Sequence, residues 1–184
     1  MLNTAFHDSR AIRVAGISND SIVDGPGLRM TIFMQGCDKD CAGCHNPEAR
    51  TLTGGSDFTE VALFEKIRSN PLLTGVTFSG GEPLLQAKAL IPLAERIAEA
   101  KLSLAIYTGD AAEDIFARSD AEVLKLLSLA DIIVDGPFIL AKRSLALPFR
   151  GSANQRILDA KRSLELGRPV ISADPAWVGG DCVG

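Results

Sequence analysis

The sequence predicts an α/β fold built on a sheet of parallel strands. Two observations carry this prediction: apolar β-type runs alternate with helical patterns, and the strands are short and continuously apolar. Such alternation implies right-handed crossovers that place helices over the sheet. A third observation is the length of 184 residues. A complete eight-stranded α/β barrel takes about 250 residues, so the length argues against one.

Strands are predicted where β-type apolar residues run without interruption. They cover residues 29–34, 75–79, 102–107 and 132–134, and a last strand is expected at 169–173. Residues 12–17 either add a further strand or form a leader packed on the outside.

Helices are predicted where apolar residues recur at helical spacing, at residues 58–69, 84–100, 119–129 and 153–166. Asp57 and Ser119 are the expected capping residues of the first and third helices, because each is followed three residues later by a glutamate. Pro92 must kink the second helix or mark a restart within it.

Composition and charge argue against several function classes. The chain has 19 Lys and Arg against 23 Asp and Glu, and its net charge of −4 gives no electrostatic reason to expect nucleic-acid or membrane binding. No apolar run approaches the ~20 residues of a membrane span, and no signal peptide is visible at residues 1–13. We expect one cytoplasmic domain over residues 1–184, with a leader at 1–20 and an irregular tail at 174–184.

Three of the four cysteines, Cys37, Cys41 and Cys44, lie within eight positions in a C-x₃-C-x₂-C spacing. Three thiolates this close can surround one compact metal centre. A [4Fe–4S] cluster usually has four thiolate ligands, so three local ligands leave one iron open for a substrate or cofactor. Two alternatives remain, a Cys₃His zinc site that includes His45 and a ferredoxin-type site with Cys182 as the fourth ligand.

Unusual residues follow the carboxyl ends of four predicted strands, where parallel α/β folds bind their ligands. In chain order they are the cysteine cluster, Gly80-Gly81-Glu82-Pro83, Thr108-Gly109-Asp110 and Asp135-Gly136-Pro137. Two adjacent glycines allow a ligand to approach the backbone closely, and Glu82 can accept hydrogen bonds from a ligand ammonium. The alternative for this loop is an ordinary tight turn between a strand and a helix.

Together these motifs resemble the radical S-adenosylmethionine (SAM) enzymes. The cysteine motif followed by the Gly-Gly-Glu-Pro loop is typical of the superfamily. Residues 23–29 and 44–48 resemble segments of glycyl-radical-enzyme activases. Residues 134–138 and 150–156 are similar to the activating proteins of anaerobic (class III) ribonucleoside-triphosphate reductase, and the similarity spans residues 22–159.

The resemblance implies an incomplete, TIM-like β/α barrel of radical SAM type that holds a [4Fe–4S] cluster and S-adenosylmethionine. The implied iron ligands are Cys37, Cys41 and Cys44. The implied cofactor-binding residues are Gly43, Cys44, His45, Gly80, Gly81 and Glu82. Of these, Gly43 and His45 would lie near the adenine, and Gly80, Gly81 and Glu82 would meet the methionine ammonium. Thr108 and Asp110 are candidates for contacts with the ribose or the carboxylate.

The implied activity is that of an oxidoreductase that reductively cleaves S-adenosylmethionine and generates a glycyl radical on anaerobic ribonucleoside-triphosphate reductase. The implied partners are the glycyl-radical subunit of that reductase and an electron donor such as flavodoxin or ferredoxin. Arg29, Arg150 and Arg156 are candidates for docking the glycine-bearing loop or the reductase surface, the alternative for each being an ordinary surface or ion-paired arginine.

Three competing functions remain open. The first is activation of another glycyl-radical enzyme, of the pyruvate formate-lyase type. The second is a radical SAM reaction on a free metabolite or a peptide. The third is a non-catalytic iron–sulfur or zinc module.

Overall fold

Residues 11–179, which the computed structural model describes, form one seven-stranded mixed sheet with helices packed against it. The strands are β1 (Ile12–Ser21), β2 (Arg29–Met34), β3 (Ser56–Phe58), β4 (Gly75–Gly80), β5 (Ser103–Tyr107), β6 (Ile132–Asp135) and β7 (Arg156–Asp159). The α-helices are α1 (Glu60–Ser69), α2 (Ala87–Glu99), α3 (Ala112–Arg118), α4 (Ala121–Ser128), α5 (Ala160–Leu166) and α6 (Pro175–Val178). Short 3₁₀ helices lie at Pro47–Arg50, Pro83–Gln86 and Leu140–Lys142.

The order of the central strands in the sheet is the order found in β/α barrels. The strand order is β3-β1-β2-β4-β5-β6-β7, and β2, β4, β5 and β6 are parallel. Because these four strands stand in chain order without a reversal, right-handed crossovers bring their helices to the same face. Accordingly α1 packs on α2, α2 on α4, and α4 on α5. The predicted α/β fold is confirmed, and its centre is parallel.

The predicted parallel arrangement is wrong at the two edges of the sheet. Strands β1, β3 and β7 pair antiparallel with their neighbours. Only residues 22–28 connect β1 to β2, and a parallel crossover needs about a dozen residues or more. At the other edge, the chain between β6 and β7 contains only a short 3₁₀ helix, so no crossover helix carries it back.

Two predicted helices begin later than expected because short edge strands occupy their first residues. The helix predicted at 58–69 is α1, and Thr59 rather than Asp57 caps it, since residues 56–58 pair with β1. The helix predicted at 153–166 is α5, since residues 156–159 pair with β6. Cross-strand pairing thus overrides a helical spacing that the local sequence also satisfies.

Two further predictions fail nearby. Ser119 does not cap the helix predicted at 119–129, because it takes a φ of 50° and ends α3, a helix that the spacing did not reveal. Asp120 caps α4 instead. Residues 169–173 form no strand, and Ile171 makes only a single bridge to Leu158.

The ends of the chain also differ from the expected leader and tail. Residues 12–21 form β1, which confirms the strand alternative for residues 12–17. Asp174 caps α6 at the start of the expected tail. Residues 1–10 and 180–184, including Cys182, lie outside the described residues. Within residues 11–179, no helix combines the length and the apolar character that a bilayer span requires.

The two faces of the sheet bury different side chains. Under the helices lies the main apolar core, which includes Ile32, Val76 and Leu104. On the opposite, inner face, alternate residues of the same strands are polar or form a smaller cluster around Trp177. Period-two alternation along each strand produces this separation.

Arg29 is almost completely buried on the inner face, at 1 % exposure. Its guanidinium donates to Thr77 Oγ1 at 2.8 Å, Val76 O at 2.6 Å and Ser103 O at 3.0 Å, which connects the beginnings of β2, β4 and β5. Burial lowers its pKa to about 10, so the group remains charged at neutral pH. A side chain buried this way serves the fold, and the prediction that Arg29 docks a partner is not supported.

Trp177 of α6 covers the inner face at the end where the parallel strands begin. Its ring lies 5.3 Å from the guanidinium carbon of Arg29 and 5.4 Å from the ring of Phe149 in an edge-on arrangement. A Cβ at Gly25, where φ is +137°, would lie 2.6 Å from the Trp177 ring, so only glycine fits there. Trp177 therefore joins the segment before β2 to the segment before β7.

We expect Trp177→Ala to destabilise the protein by about 3–5 kcal/mol, because it removes a buried aromatic side chain and uncovers Arg29. Urea unfolding followed by circular dichroism measures the loss. The matched control is Leu166→Ala, since Leu166 is 53 % exposed and should change stability by less than about 0.5 kcal/mol. Equal stabilities of the two variants would contradict the closing role of Trp177.

Candidate active site

An open cavity of about 870 Å³ lies at the carboxyl ends of the central strands. Residues of both sheet edges line it, Ser18 from β1 and Gln155 before β7, together with Gly80 and Tyr107 from the centre. Two edges can share one cavity only if the sheet curves around it. The sheet is therefore an incomplete barrel, as the sequence predicted.

The three cysteines of the motif lie on one wall of this cavity. Cys37, Cys41 and Cys44 all line it and are half-buried. The loop that carries them begins and ends at the same place, because the Gly36 N–H donates to Ala49 O at 2.8 Å and the Cys37 N–H donates to Arg50 O at 3.1 Å.

Gln35, two residues before Cys37, holds the same loop in place through its side chain. Its side-chain amide donates to Glu48 O at 3.1 Å and to Thr51 O at 2.7 Å. Its own carbonyl accepts from the buried side chain of Gln86 at 3.0 Å. These two buried glutamines join the cysteine loop to β1 and to the helical side of the site, and sequence reasoning missed both.

The thiols suit iron as a ligand set. Burial raises the pKa of Cys37, which keeps that thiol protonated in the protein without metal. A bound metal would remove the proton, since thiolate is the ligating form. Three soft sulfur donors on one loop are the donor type that a [4Fe–4S] cluster uses, and they would hold three of its irons.

The Gly-Gly-Glu loop lies directly against the cysteine loop. The Glu82 N–H donates to Gly36 O at 2.8 Å, and the Gly81 N–H donates to Met34 O at 2.8 Å. A Cβ at Gly81 would lie 2.2 Å from Gly36 O, and one at Gly80, where φ is +99°, would lie 2.5 Å from Met34 N. The two glycines are thus required by the chain's own backbone, which brings Glu82 beside the cysteines.

Glu82 is a buried carboxyl in the wall of the cavity, at 1 % exposure. One oxygen accepts from the Gly109 N–H at 2.8 Å and the other accepts from the Leu84 N–H at 3.1 Å. Burial outweighs these donors and raises the pKa of Glu82 to about 7. A cationic ligand such as an ammonium would hold this carboxyl in its ionised form, which fits the methionine end of S-adenosylmethionine.

Lys39 ties the cysteine loop to the end of β5. Its ammonium lies 2.7 Å from both Asp110 Oδ1 and Asp38 Oδ1, and Arg118 also pairs with Asp110. Although burial acts in the opposite direction, hydrogen bonds from Arg118 and Lys39 lower the pKa of Asp110. The carboxylate of Asp110 is therefore engaged within the protein, whereas the neighbouring Thr108 lines the cavity.

The segment between β6 and β7 reaches across to the cysteine loop. The ring of Phe138 lies 4.9 Å from the ring of His45, and both residues line the cavity. Leu140 covers Gly43, where a Cβ would lie 3.0 Å from a Leu140 methyl. Gly43 is outside the cavity lining, so its predicted contact with the cofactor stays a prediction.

The structure brings most of the predicted site residues to one cavity: Cys37, Cys41, Cys44, His45, Gly80, Gly81, Glu82 and Thr108. It also shows supporting residues that were not predicted as site residues, Lys39, Phe138 and the two buried glutamines. A sequence signal existed for Lys39, which lies within the cysteine motif, and for Gln35, which lies two positions before Cys37. The contact between Phe138 and His45 joins residues far apart in sequence and had no local signal.

The raised pKa of Glu82 should make the stability of the cofactor-free protein depend on pH. Between pH values of about 4.5 and about 7, the folded protein holds a proton on Glu82 that the unfolded chain releases. The free energy of unfolding should therefore fall as the pH rises through this window. In Glu82→Gln, which has no ionisable group, this decrease should be smaller by up to about 3 kcal/mol.

Urea unfolding across this pH range measures how steeply the free energy of unfolding changes with pH. The slope is compared rather than the stability itself, because the change to glutamine also removes one hydrogen-bond acceptor. Glu113→Gln is the contrasting variant, since the ion pair with Arg156 lowers the pKa of Glu113 to about 2. The contribution of Glu113 is lost only as the pH falls below its unfolded value of 4.5. Parallel profiles for wild type and Glu82→Gln would contradict the raised pKa.

Comparison with known proteins agrees with this site. Residues 23–158 match the model of the 4Fe-4S single cluster domain. The chain is 33 % identical over 143 residues to the anaerobic ribonucleoside-triphosphate reductase-activating protein of Salmonella typhi, covering 73 % of this chain and 90 % of the relative. The corresponding protein of Haemophilus influenzae is 29 % identical over 144 residues, covering 74 % of this chain and 90 % of the relative.

An activating enzyme of a different glycyl-radical enzyme is also similar to this chain. The pyruvate formate-lyase-activating enzyme of Clostridium pasteurianum is 36 % identical over 128 residues, which is 65 % of this chain. The chain spans only 54 % of the length of that enzyme. By the family model and the reductase-activating relatives, which it covers almost completely, the chain belongs to the 4Fe-4S single cluster domain family and to the radical SAM activating proteins of anaerobic ribonucleoside-triphosphate reductase.

Proposed function

We propose that this protein is a radical SAM activase that generates a glycyl radical on anaerobic ribonucleoside-triphosphate reductase. The observation that supports it most is the convergence of three cysteine thiols and the Gly-Gly-Glu loop on one cavity of an incomplete barrel. The names of the relatives point to the same substrate protein. A cavity that opens between two sheet edges suits a substrate that is itself a polypeptide.

Cys37, Cys41 and Cys44 would hold three irons of the [4Fe–4S] cluster, and the cavity beside them would receive S-adenosylmethionine. When bound, the reduced cluster and S-adenosylmethionine supply a 5′-deoxyadenosyl radical that takes a hydrogen atom from the target glycine. The protein's own groups would bind and orient the cofactor and exclude water.

The proposed cofactor contacts are supported by the positions of Glu82, Gly80, Gly81, Cys44 and His45 in the cavity lining. Glu82 would accept hydrogen bonds from the methionine ammonium, beside the backbone of Gly80 and Gly81. His45, with Phe138 behind it, would lie against the adenine together with Gly43 and Cys44. The hydrogen bonds that close the cysteine loop keep these groups in place before the cofactor binds, so little ordering is needed on binding.

We extend the proposal to the setting of the reaction. The described part of the chain would act as a single radical SAM domain in the cytoplasm, with a flavodoxin or a ferredoxin as the electron donor. Support comes from the exposed position of residues of the cysteine loop, Asp38, Asp40 and Ala42, which leaves the loop accessible from outside. Unpaired cysteines in a metal motif also suit a reducing compartment.

Cofactor cleavage tests the metal assignment. After anaerobic reconstitution with iron and sulfide and chemical reduction, we expect the wild-type protein to convert S-adenosylmethionine to 5′-deoxyadenosine, measured by chromatography. Single changes of Cys37, Cys41 or Cys44 to alanine should abolish this product, because each removes one of three cluster ligands.

Cys182→Ala is the matched control and should retain both the cluster and the product. Loss of the cluster in Cys182→Ala would show a fourth protein ligand and would contradict the open iron.

Activation of a pyruvate formate-lyase is the second candidate function, favoured by the relative of that name. Electron paramagnetic resonance of the product separates the two. We expect the reduced activase with S-adenosylmethionine to give a glycyl-radical doublet on purified anaerobic ribonucleoside-triphosphate reductase and none on pyruvate formate-lyase. The reverse pattern would assign the lyase as substrate.

A further inference from the structure

Arg150 lines the cavity. Among residues 11–179, its Nε is buried with no hydrogen-bond partner, and its Nη1 reaches only Gln155 O at 3.4 Å. No carboxylate of these residues forms a salt bridge with it. The outer nitrogens of this guanidinium have only that one long contact among the described residues, so a ligand oxygen in the cavity could accept hydrogen bonds from them.

The other two candidate arginines are already engaged. Arg29 is saturated by protein oxygens within the inner face. Arg156 forms a bidentate pair with Glu113 and also pairs with the buried Asp135. Of the three arginines, only Arg150 retains donor capacity in the cavity.

The backbone next to Arg150 is held in a strained conformation. Phe149 has a φ of +52°, in the left-handed region that bulky residues avoid. The hydroxyl of Tyr107 donates to Phe149 O at 2.9 Å, and the Phe149 ring packs edge-on against Trp177. These buried contacts maintain the turn, and the turn presents Arg150 to the cavity.

Exposed apolar side chains surround the same opening. Ile22 is 71 % exposed, Val23 is 73 % exposed and Leu145 is 88 % exposed, and all three line the cavity. Ile22 and Val23 follow β1, whereas Leu145 precedes β7, so the three residues flank the gap between the two sheet edges. Apolar groups grouped at a cavity mouth favour contact with another protein chain.

We propose that Arg150 binds a carbonyl or carboxylate oxygen of the glycine-bearing segment of the reductase, while Ile22, Val23 and Leu145 contact apolar side chains of that segment. This inference rests on the proposed function and assigns its docking site. An extended polypeptide offers both features, an oxygen acceptor on every residue and side chains that reach the rim. Arg150 thus acts by holding the segment in the gap.

The first test uses Arg150→Gln in the reconstituted holoenzyme with purified reductase. We expect the dissociation constant for the reductase, measured by surface plasmon resonance, and the KM for the reductase to rise about tenfold or more, because a charge-assisted hydrogen bond is lost. The KM for S-adenosylmethionine should stay at the wild-type value. Arg150→Lys should recover part of the affinity, since it keeps the charge without the planar fork.

Arg143→Gln is the matched control, because Arg143 is exposed on the same connection between β6 and β7 and does not line the cavity. Its affinity for the reductase should equal that of wild type.

The second test changes the rim. Leu145→Ser should weaken reductase binding several-fold without loss of folding, because the side chain is almost fully exposed. Leu72→Ser is the matched control, since Leu72 is 73 % exposed and lies before β4 at the opposite end of the sheet. Equal binding by these two variants would remove the rim from the docking site.

The outcomes separate the docking inference from the proposed function. If Arg150→Gln binds the reductase as tightly as wild type, the inference is overturned. If Arg150→Gln instead loses affinity for S-adenosylmethionine in the absence of the reductase, Arg150 serves the cofactor's carboxylate and the inference is also overturned. A wild-type protein that cleaves the cofactor but neither binds the reductase nor forms its radical would contradict the proposed function itself.

Discussion

The backbone contact between Gly81 and Gly36 is the constraint on which the site depends. The loop after β4 and the loop after β2 lie so close that no side chain fits between them. This contact places Glu82, a buried carboxyl, beside the thiols of the cysteine loop. Gly109 and Lys39 then connect the two loops to the segment after β5. The side chain of Gln86 connects them to β1 and to Gln35. Two recognition elements that are separate in sequence therefore form one rigid wall.

The incomplete barrel divides its inner face into a filled part and an open part. Arg29 and Trp177 fill the region where the strands begin, and the cavity occupies the region where they end. Antiparallel strands at both edges stop the sheet before it closes, because the connections there carry no crossover helix. The gap that remains lies beside Arg150, the one candidate arginine that the fold leaves available to a ligand.

Local motifs identified the chemistry of the site more completely than they identified the fold. The cysteine spacing and the Gly-Gly-Glu loop are short segments whose residue types determine what they can bind, and both lie at the cavity. Helix boundaries failed at residues 56–58 and 156–159, where pairing with a distant strand overrode a local pattern. The three arginines looked alike in sequence, since only burial and neighbouring charges distinguish a structural arginine from one that can bind a partner.

The sequence by itself determined the α/β class, the parallel central strands, the three-cysteine motif and the loop that meets it. These features depend on residue type and on contacts between neighbours along the chain. Only the tertiary structure decided which edge strands are antiparallel, that Trp177 closes the inner face, and that Arg150 lines the cavity without a carboxylate partner among residues 11–179. Such features depend on which residues meet after distant segments pack, and the free energy of that packing is not readable from any one segment.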